Sequence, residues 1–352
     1  MLADVRNVPE SFVLQMQARV VSQIQLAFYV CVCMFGVACK SKEVVRADPK
    51  AAARASQGPE SRPHMPPMSP RRDTFARPGL RTPAPESSAV NGRGGCRVRL
   101  MAANITSGDA QSYEEPGVHI FKALAPDVVM LQEFNVRGQT LDTFVRGTFG
   151  AEYTYFVEHD SSIPNGVVSR FPMLASGEWH SSAPNANRDY AWARINVPGP
   201  RNLLVVSVHL RTKGGPRAIE EREIVEYMRG ALKPDDIAVL GGDFNHDAQA
   251  SPSLAGARSF LALSSPLPTN MDGRTTTSAN LSKTLDHLFV GDALQRTERA
   301  ITMDGRDYPH GLVFTSDMAA PAEIAPVLPR DSFATSMQHM PVVRDFDLCE
   351  AP

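Results

Sequence analysis

No CxxC pair and no cysteine–histidine cluster occurs in the 352 residues, which excludes a domain built around structural zinc. The five cysteines stand at Cys31, Cys33, Cys39, Cys96 and Cys349. The apolar run 26–39 stops at 14 residues, short of the roughly 20 that a bilayer span takes. No internal repeat is visible, so a solenoid or blade array is excluded. An excess of positive charge is also lacking. The whole chain carries −2, and residues 96–352 hold 23 Lys and Arg against 31 Asp and Glu. Such a domain is not built to cling to a polyanion by counterion release, although a local basic groove is compatible with it.

Hydrophobic content of 43% is ordinary for a globular chain with a sizeable core. Residues 1–39 read as an export signal: the run 26–39 has the length of a signal-peptide core, with Arg19 upstream. Gly36-Val37-Ala38-Cys39 resembles a bacterial lipoprotein box, so lipid anchoring through Cys39 is an expectation. The stretch ahead of the run is long for a signal, which makes Met16 a second candidate start. Residues 40–95 hold nine prolines and no apolar period, and residues 1–95 carry 13 Lys and Arg against 7 Asp and Glu. Residues 40–95 therefore read as a disordered tether.

Residues 96–352 form the candidate catalytic domain. A strand is expected over 96–104, finishing at Asn104, then a helix from near Pro116 with Val118, Phe121 and Leu124 on one side. Residues 127–133 read as a buried strand ending in Glu133, a charge that needs a positive neighbour. Further strands are expected at 165–172, 188–195 and 202–209, the last ending in His209. A helix over 216–233 places Ile219, Ile224, Tyr227 and Met228 inward and its acidic face in solvent. The strand 237–243 then meets Gly241 and Gly242, which permit close backbone approach. Asp243 and Asn245, two apart on an extended backbone, would point to one side. A plain polar turn has the same composition. Asp286 sits inside an apolar strand, and the last strand follows His339. There are too many strands for one doubly wound sheet, which favours two packed mixed sheets with outer helices.

In this order, Met101-Ala-Ala-Asn104, Leu131-Gln-Glu-Phe134, Ser207-Val-His-Leu210, Gly241-Gly-Asp-Phe-Asn245, Leu285-Asp286 and His339-Met-Pro-Val-Val343 resemble the endonuclease/exonuclease/phosphatase superfamily, of deoxyribonuclease-I-like fold. The resemblance implies an α/β (α+β) fold, a four-layer αββα sandwich of two mixed β-sheets flanked by helices. It also implies Mg²⁺-dependent hydrolysis of phosphoric esters, with Mn²⁺ as the alternative ion. Carried over, Glu133 is the principal metal ligand with Asn104 beside it. Asp243 orients the attacking water, Asn245 and His209 contact phosphate, and Asp286 orients His339. Arg188 stands where related nucleases place a phosphate contact. The family's Ser-Asp-His is here Met337-Gln338-His339, and Asp317 and Asp331 are candidates to stand in for the missing carboxylate. His287, in place of a frequent aromatic, is expected to pack only. Because the first and last strands of that fold lie side by side and antiparallel, a Cys96–Cys349 disulfide is expected if the protein is exported. The substrate expected is a phosphodiester, in nucleic acid or in a phospholipid head group. A surface-tethered module without turnover is the third reading. A monomer is expected, with no protein partner.

Overall fold

The computed structural model describes residues 95–319 and 322–350. The signal, Cys39 and tether expectations for residues 1–94 lie outside the described residues. The chain runs through β1 (Arg97–Ala103), α1 (Glu115–Leu124), β2 (Val128–Leu131), α2 (Leu141–Thr148), β3 (Thr154–Val157) and β4 (Gly166–Ser169). It continues with β5 (Met173–Trp179), β6 (Tyr190–Ile195), β7 (Asn202–His209), α3 (Gly214–Ala231), β8 (Asp236–Asp243) and β9 (Asp286–Val290). Four short strands follow, β10 (Glu298–Arg299), β11 (Ile301–Met303), β12 (Arg306–Tyr308) and β13 (Leu312–Val313), and then β14 (Val342–Asp347).

One sheet has the order β10-β14-β1-β2-β4-β3, with β13 also on β14, and the other β5-β6-β7-β8-β9. Both are mixed: β1 and β2 are parallel, as are β7 and β8, within otherwise antiparallel neighbours. Strands covered on both faces need continuous apolar sequence, and every residue of β2 and β8 is buried. Leu100, Val128 and Met130 of the first sheet face Val205, Val239 and Leu288 of the second. On its outer side the first sheet takes Ile120, Phe121 and Leu124 of α1 and Phe144 of α2. Ile224, Val225 and Met228 of α3 cover Val206, Val208 and Leu240 of the second. The layers are therefore helix, sheet, sheet, helix, a four-layer α/β sandwich as expected.

The solvent-facing acidic side expected of α3 is corrected. Glu220 and Glu221 are buried, because loops from elsewhere close over them. Glu220 Oε2 accepts the Arg211 N–H at 2.7 Å, and Glu221 takes His246 Nε2 at 2.6 Å and Ser251 Oγ at 2.7 Å. At the sheet end remote from Asn104, Leu348 N–H donates to Cys96 O at 3.0 Å. There Cys96 and Cys349 are bonded, with Cα atoms 5.5 Å apart.

Candidate active site

Four strand ends and two strand beginnings meet at one edge of the sandwich. Asn104 follows β1 and Glu133 follows β2, while His209 and Asp243 close β7 and β8. Asp286 opens β9, and His339 stands three residues ahead of β14. All six side chains are buried. Both the approach of the two sheets and the close pairing of β8 with β7 depend on glycine. A Cβ on Gly241 would lie 2.7 Å from Met130 Sδ, and one on Gly242 (φ +140°) 2.0 Å from Val208 O. Between the sheets, Gln132 Nε2 donates to Ser207 Oγ at 2.9 Å, and Ser207 Oγ to Leu131 O at 2.9 Å.

Asp243 Oδ2 is the hub. It lies 3.3 Å from Asn104 Nδ2, Asn245 Nδ2 and His209 Nε2, and 3.5 Å from His339 Nε2. Asn245 reaches it by a route other than the one expected. Its backbone is left-handed (φ 57°), not extended, and its own N–H donates to Asp243 Oδ1 at 2.7 Å. Glu133 is also left-handed (φ 53°). Backbone strain of this kind concentrates at functional sites.

Glu133 Oε2 accepts from Thr106 Oγ1 at 2.7 Å, and Oε1 from Gln111 Nε2 at 2.8 Å and Asn104 Nδ2 at 3.5 Å. Thr106 and Gln111 are site residues that the sequence reading missed. Thr106 stands two positions after Asn104, a spacing that points both side chains one way on an extended chain. Gln111 sits in a polar loop that carries no such signal.

His339 Nδ1 lies 2.8 Å from Asp286 Oδ2, so Asp286 has the partner its burial demands. Burial pushes the His339 imidazole down, but the charges of Asp286 and Asp243 outweigh it and raise it to about 10. Burial raises Asp243 to about 7, opposed by the His339 charge and reinforced by Asp286. Two carboxylates flank one imidazole, so His339 is the group that holds the proton. Burial also raises Glu133, against hydrogen bonds from Thr106 and Asn104. His209 lies well below its ordinary value through burial and the Arg188 and His339 charges, and is neutral.

Arg188 lies beside the site with three of its N–H groups engaged on His209 O, Leu210 O and Asn187 Oδ1. Of the two carboxylates named as stand-ins for the one missing at Gln338, Asp331 is engaged elsewhere. Asp331 pairs with His119 Nδ1 at 2.9 Å, and Asp317 is exposed, as is Gln338 itself. His287 does more than pack: it stacks on Phe289 with ring centres 5.1 Å apart, and its Nε2 accepts the Ala248 N–H at 3.1 Å.

The residues fit a divalent cation. Asn104 Oδ1 is buried with no hydrogen-bond partner, next to the Glu133 carboxylate, and hard oxygen donors of this kind suit Mg²⁺ or Mn²⁺. The atoms of Asp243, Asp286 and His339 also lie within 4.8 Å of one another. Both His339 nitrogens already face carboxylates there, which makes that group a hydrogen-bonded relay.

No curated protein matches the chain in sequence. Among solved structures, the human nocturnin catalytic domain with bound sulfate is similar at 17% identity. The match covers 71% of this chain and 94% of that one, with a TM-score of 0.50. An endonuclease/exonuclease/phosphatase from Bacteroides vulgatus is similar at 16% identity, covering 72% of this chain and 99% of that one, also at 0.50. At these identities the likeness speaks to fold alone. The model of the Endonuclease/Exonuclease/phosphatase family matches residues 103–317, more than half of the sequence, and the chain belongs to that family of phosphoester hydrolases.

Proposed function

We propose that this chain is a divalent-metal-dependent phosphodiesterase of nuclease type. The observation that carries the reading is the Asp243 carboxylate, with four N–H-bearing side chains from both sheets around one oxygen and Glu133 alongside. Glu133 and Asn104 would hold the ion. Bound there, Mg²⁺ or Mn²⁺ supplies polarisation of the phosphoryl oxygen and neutralises charge in the transition state.

Asp243, raised toward neutrality by burial, orients the attacking water and takes its proton as the water's oxygen bonds to phosphorus. The P–O bond to the in-line leaving oxygen breaks, and that oxygen takes a proton from solvent. His339, kept protonated and held by Asp286, donates from Nε2 to the phosphoryl oxygen. Neutral His209 donates to a remaining phosphate oxygen, and Asn245, whose Nδ2 is engaged on Leu210 O and Asp243 Oδ2, donates to another by exchanging its Asp243 contact. The disulfide between Cys96 and Cys349 supports an exported enzyme, because such bonds persist in oxidising compartments. Anchoring through Cys39 is the form of export proposed.

The test incubates the full chain with Mg²⁺, then Mn²⁺, then a chelator, on plasmid DNA, RNA, sphingomyelin and bis-p-nitrophenyl phosphate. Turnover of nucleic acid and of the diester is expected, lost with the chelator and in Glu133→Ala and His339→Ala. Hydrolysis of lipid alone moves the substrate to a phospholipid head group. Absence of any turnover turns the chain into a binding module, and turnover indifferent to both substitutions rejects the site.

A further inference from the structure

The β5–β6 ribbon carries a second group of metal-type side chains, distinct from Glu133, Asn104 and Asp243. Trp179 pairs with Tyr190 across the ribbon, so alternation puts Glu178 and His180 on the face opposite Trp179, with Asp189 beside His180. The aromatic face is pinned: Trp179 stacks on Trp192 and on Tyr227, with ring centres 5.7 and 5.3 Å apart. On the other face, ligand atoms of Glu178, His180 and Asp189 all lie within 4.8 Å of one another. His159, which follows β3 in the other sheet, brings Nδ1 to 3.4 Å from Glu178 Oε2.

We propose that Glu178, His180 and Asp189 bind a transition-metal ion of the Zn²⁺ class, with water completing the coordination. The chemistry separates this group from the catalytic one. One imidazole and two carboxylates form an N/O set that suits four-coordinate Zn²⁺ completed by water, whereas Mg²⁺ prefers oxygen and water. The carboxylates are already oriented as an outer shell would orient them. The His159 backbone N–H donates to Glu178 Oε2 at 2.8 Å, and the Ser181 N–H to Asp189 Oδ1 at 3.0 Å. His180 Nδ1 and Asp189 Oδ2 are in direct contact, and an ion entering between them replaces that contact with two bonds. The side chains of Glu178 and Asp189 are only 18% and 21% exposed, while those of His159 and His180 are 71% and 79% exposed. The two carboxylates are thus sheltered, and the His180 imidazole is free to close on an ion from solvent. The sulfurs of Cys96 and Cys349, near Asp347, are bonded to each other and offer no thiolate.

The test uses the full chain, stripped with a chelator and titrated with Zn²⁺ by calorimetry, beside His180→Ala, Glu178→Gln and, for the catalytic position, Glu133→Gln. Wild type and Glu133→Gln should share one Zn²⁺ equivalent that millimolar Mg²⁺ does not displace. His180→Ala should weaken that equivalent by at least about tenfold, the lower end of what even an outer-shell loss causes. Co²⁺ in place of Zn²⁺ should give visible absorption bands in wild type that are absent in His180→Ala. His180 is exposed, so its replacement keeps the test open should Glu178→Gln fold poorly. An isotherm unchanged in His180→Ala, or no Zn²⁺ bound by wild type at micromolar concentration, overturns the proposal.

Discussion

Replacing Glu158 by Gln should stabilise the protein at alkaline pH much more than near pH 5. Glu158 is a buried carboxyl at the rim of the site, accepting from Asn165 Nδ2 at 2.8 Å and from the Asp189 N–H at 3.2 Å. Burial raises it from 4.5 to about 7, helped by the Asp189 charge and opposed by the hydrogen bonds. The folded value exceeds the unfolded one, so the folded state holds the proton more tightly. Its contribution to stability is complete below pH 4.5 and is lost as pH rises through about 7. The gap between the two values corresponds to about 3.4 kcal/mol, of which about 2.5 falls between pH 5 and pH 8.5. Gln does not titrate. The difference in unfolding free energy between variant and wild type should therefore grow by about 2.5 kcal/mol from pH 5 to pH 8.5, with a spread of about one pKa unit, or roughly 1.4 kcal/mol. Urea titrations of both proteins at both pH values measure it. Any change in hydrogen bonding made by the amide cancels in the double difference, as does Glu220, which is present in both proteins. A difference that stays constant with pH would refute the account of Glu158 as a desolvated anion.

Asp286→Asn should leave the fold intact but lower kcat by a factor on the order of 10³–10⁴, the scale seen where a buried Asp behind a catalytic His loses its charge. Parent-like turnover on bis-p-nitrophenyl phosphate would show the pair to be idle. Gly242→Ala should cost more than about 2 kcal/mol in a urea titration, since the new methyl group meets Val208 O with φ at +140° and Asp243 is displaced with it. Changing Cys96 and Cys349 together to Ser should lower stability by roughly 2–5 kcal/mol and leave kcat unaltered, because the bridge lies at the end of β1 remote from Asn104. Melting and turnover of the double variant check both halves of that statement.

The catalytic edge was legible because buried strands here end abruptly in one polar side chain. Glu133, His209 and Asp243 each interrupt an apolar run where the backbone leaves the sheet. Asp286 was legible for the opposite reason, as a charge inside an apolar strand that only a partner could stabilise. Features that depend on distant loops were not legible. The inward stripe of α3 is Glu220, Glu221, Ile224, Val225 and Met228, so two glutamates occupy its first turn. Their partners stand at Arg211, His246 and Ser251, beyond any local periodicity. Asn245 stands beside Asp243, but through a left-handed turn and not the extended backbone that the two-residue spacing implies.

The charge balance of the site ties these observations together. Glu133, Asp243 and Asp286 are three buried carboxylates on one edge, facing one imidazole that holds a proton and one, His209, that does not. Burial raises Glu133 and Asp243 because the nearby positive charges, His339 and Arg188, only partly offset desolvation. Replacing either carboxylate by its amide would remove that cost at little change in shape, so a purely structural role does not account for keeping both ionisable. A divalent cation held, as proposed, by Glu133 and Asn104 would supply the missing positive charge, give the unpartnered Asn104 oxygen a partner, and lower the cost of an anionic Asp243. The arrangement therefore reads as one preorganised for a cation and a phosphate together.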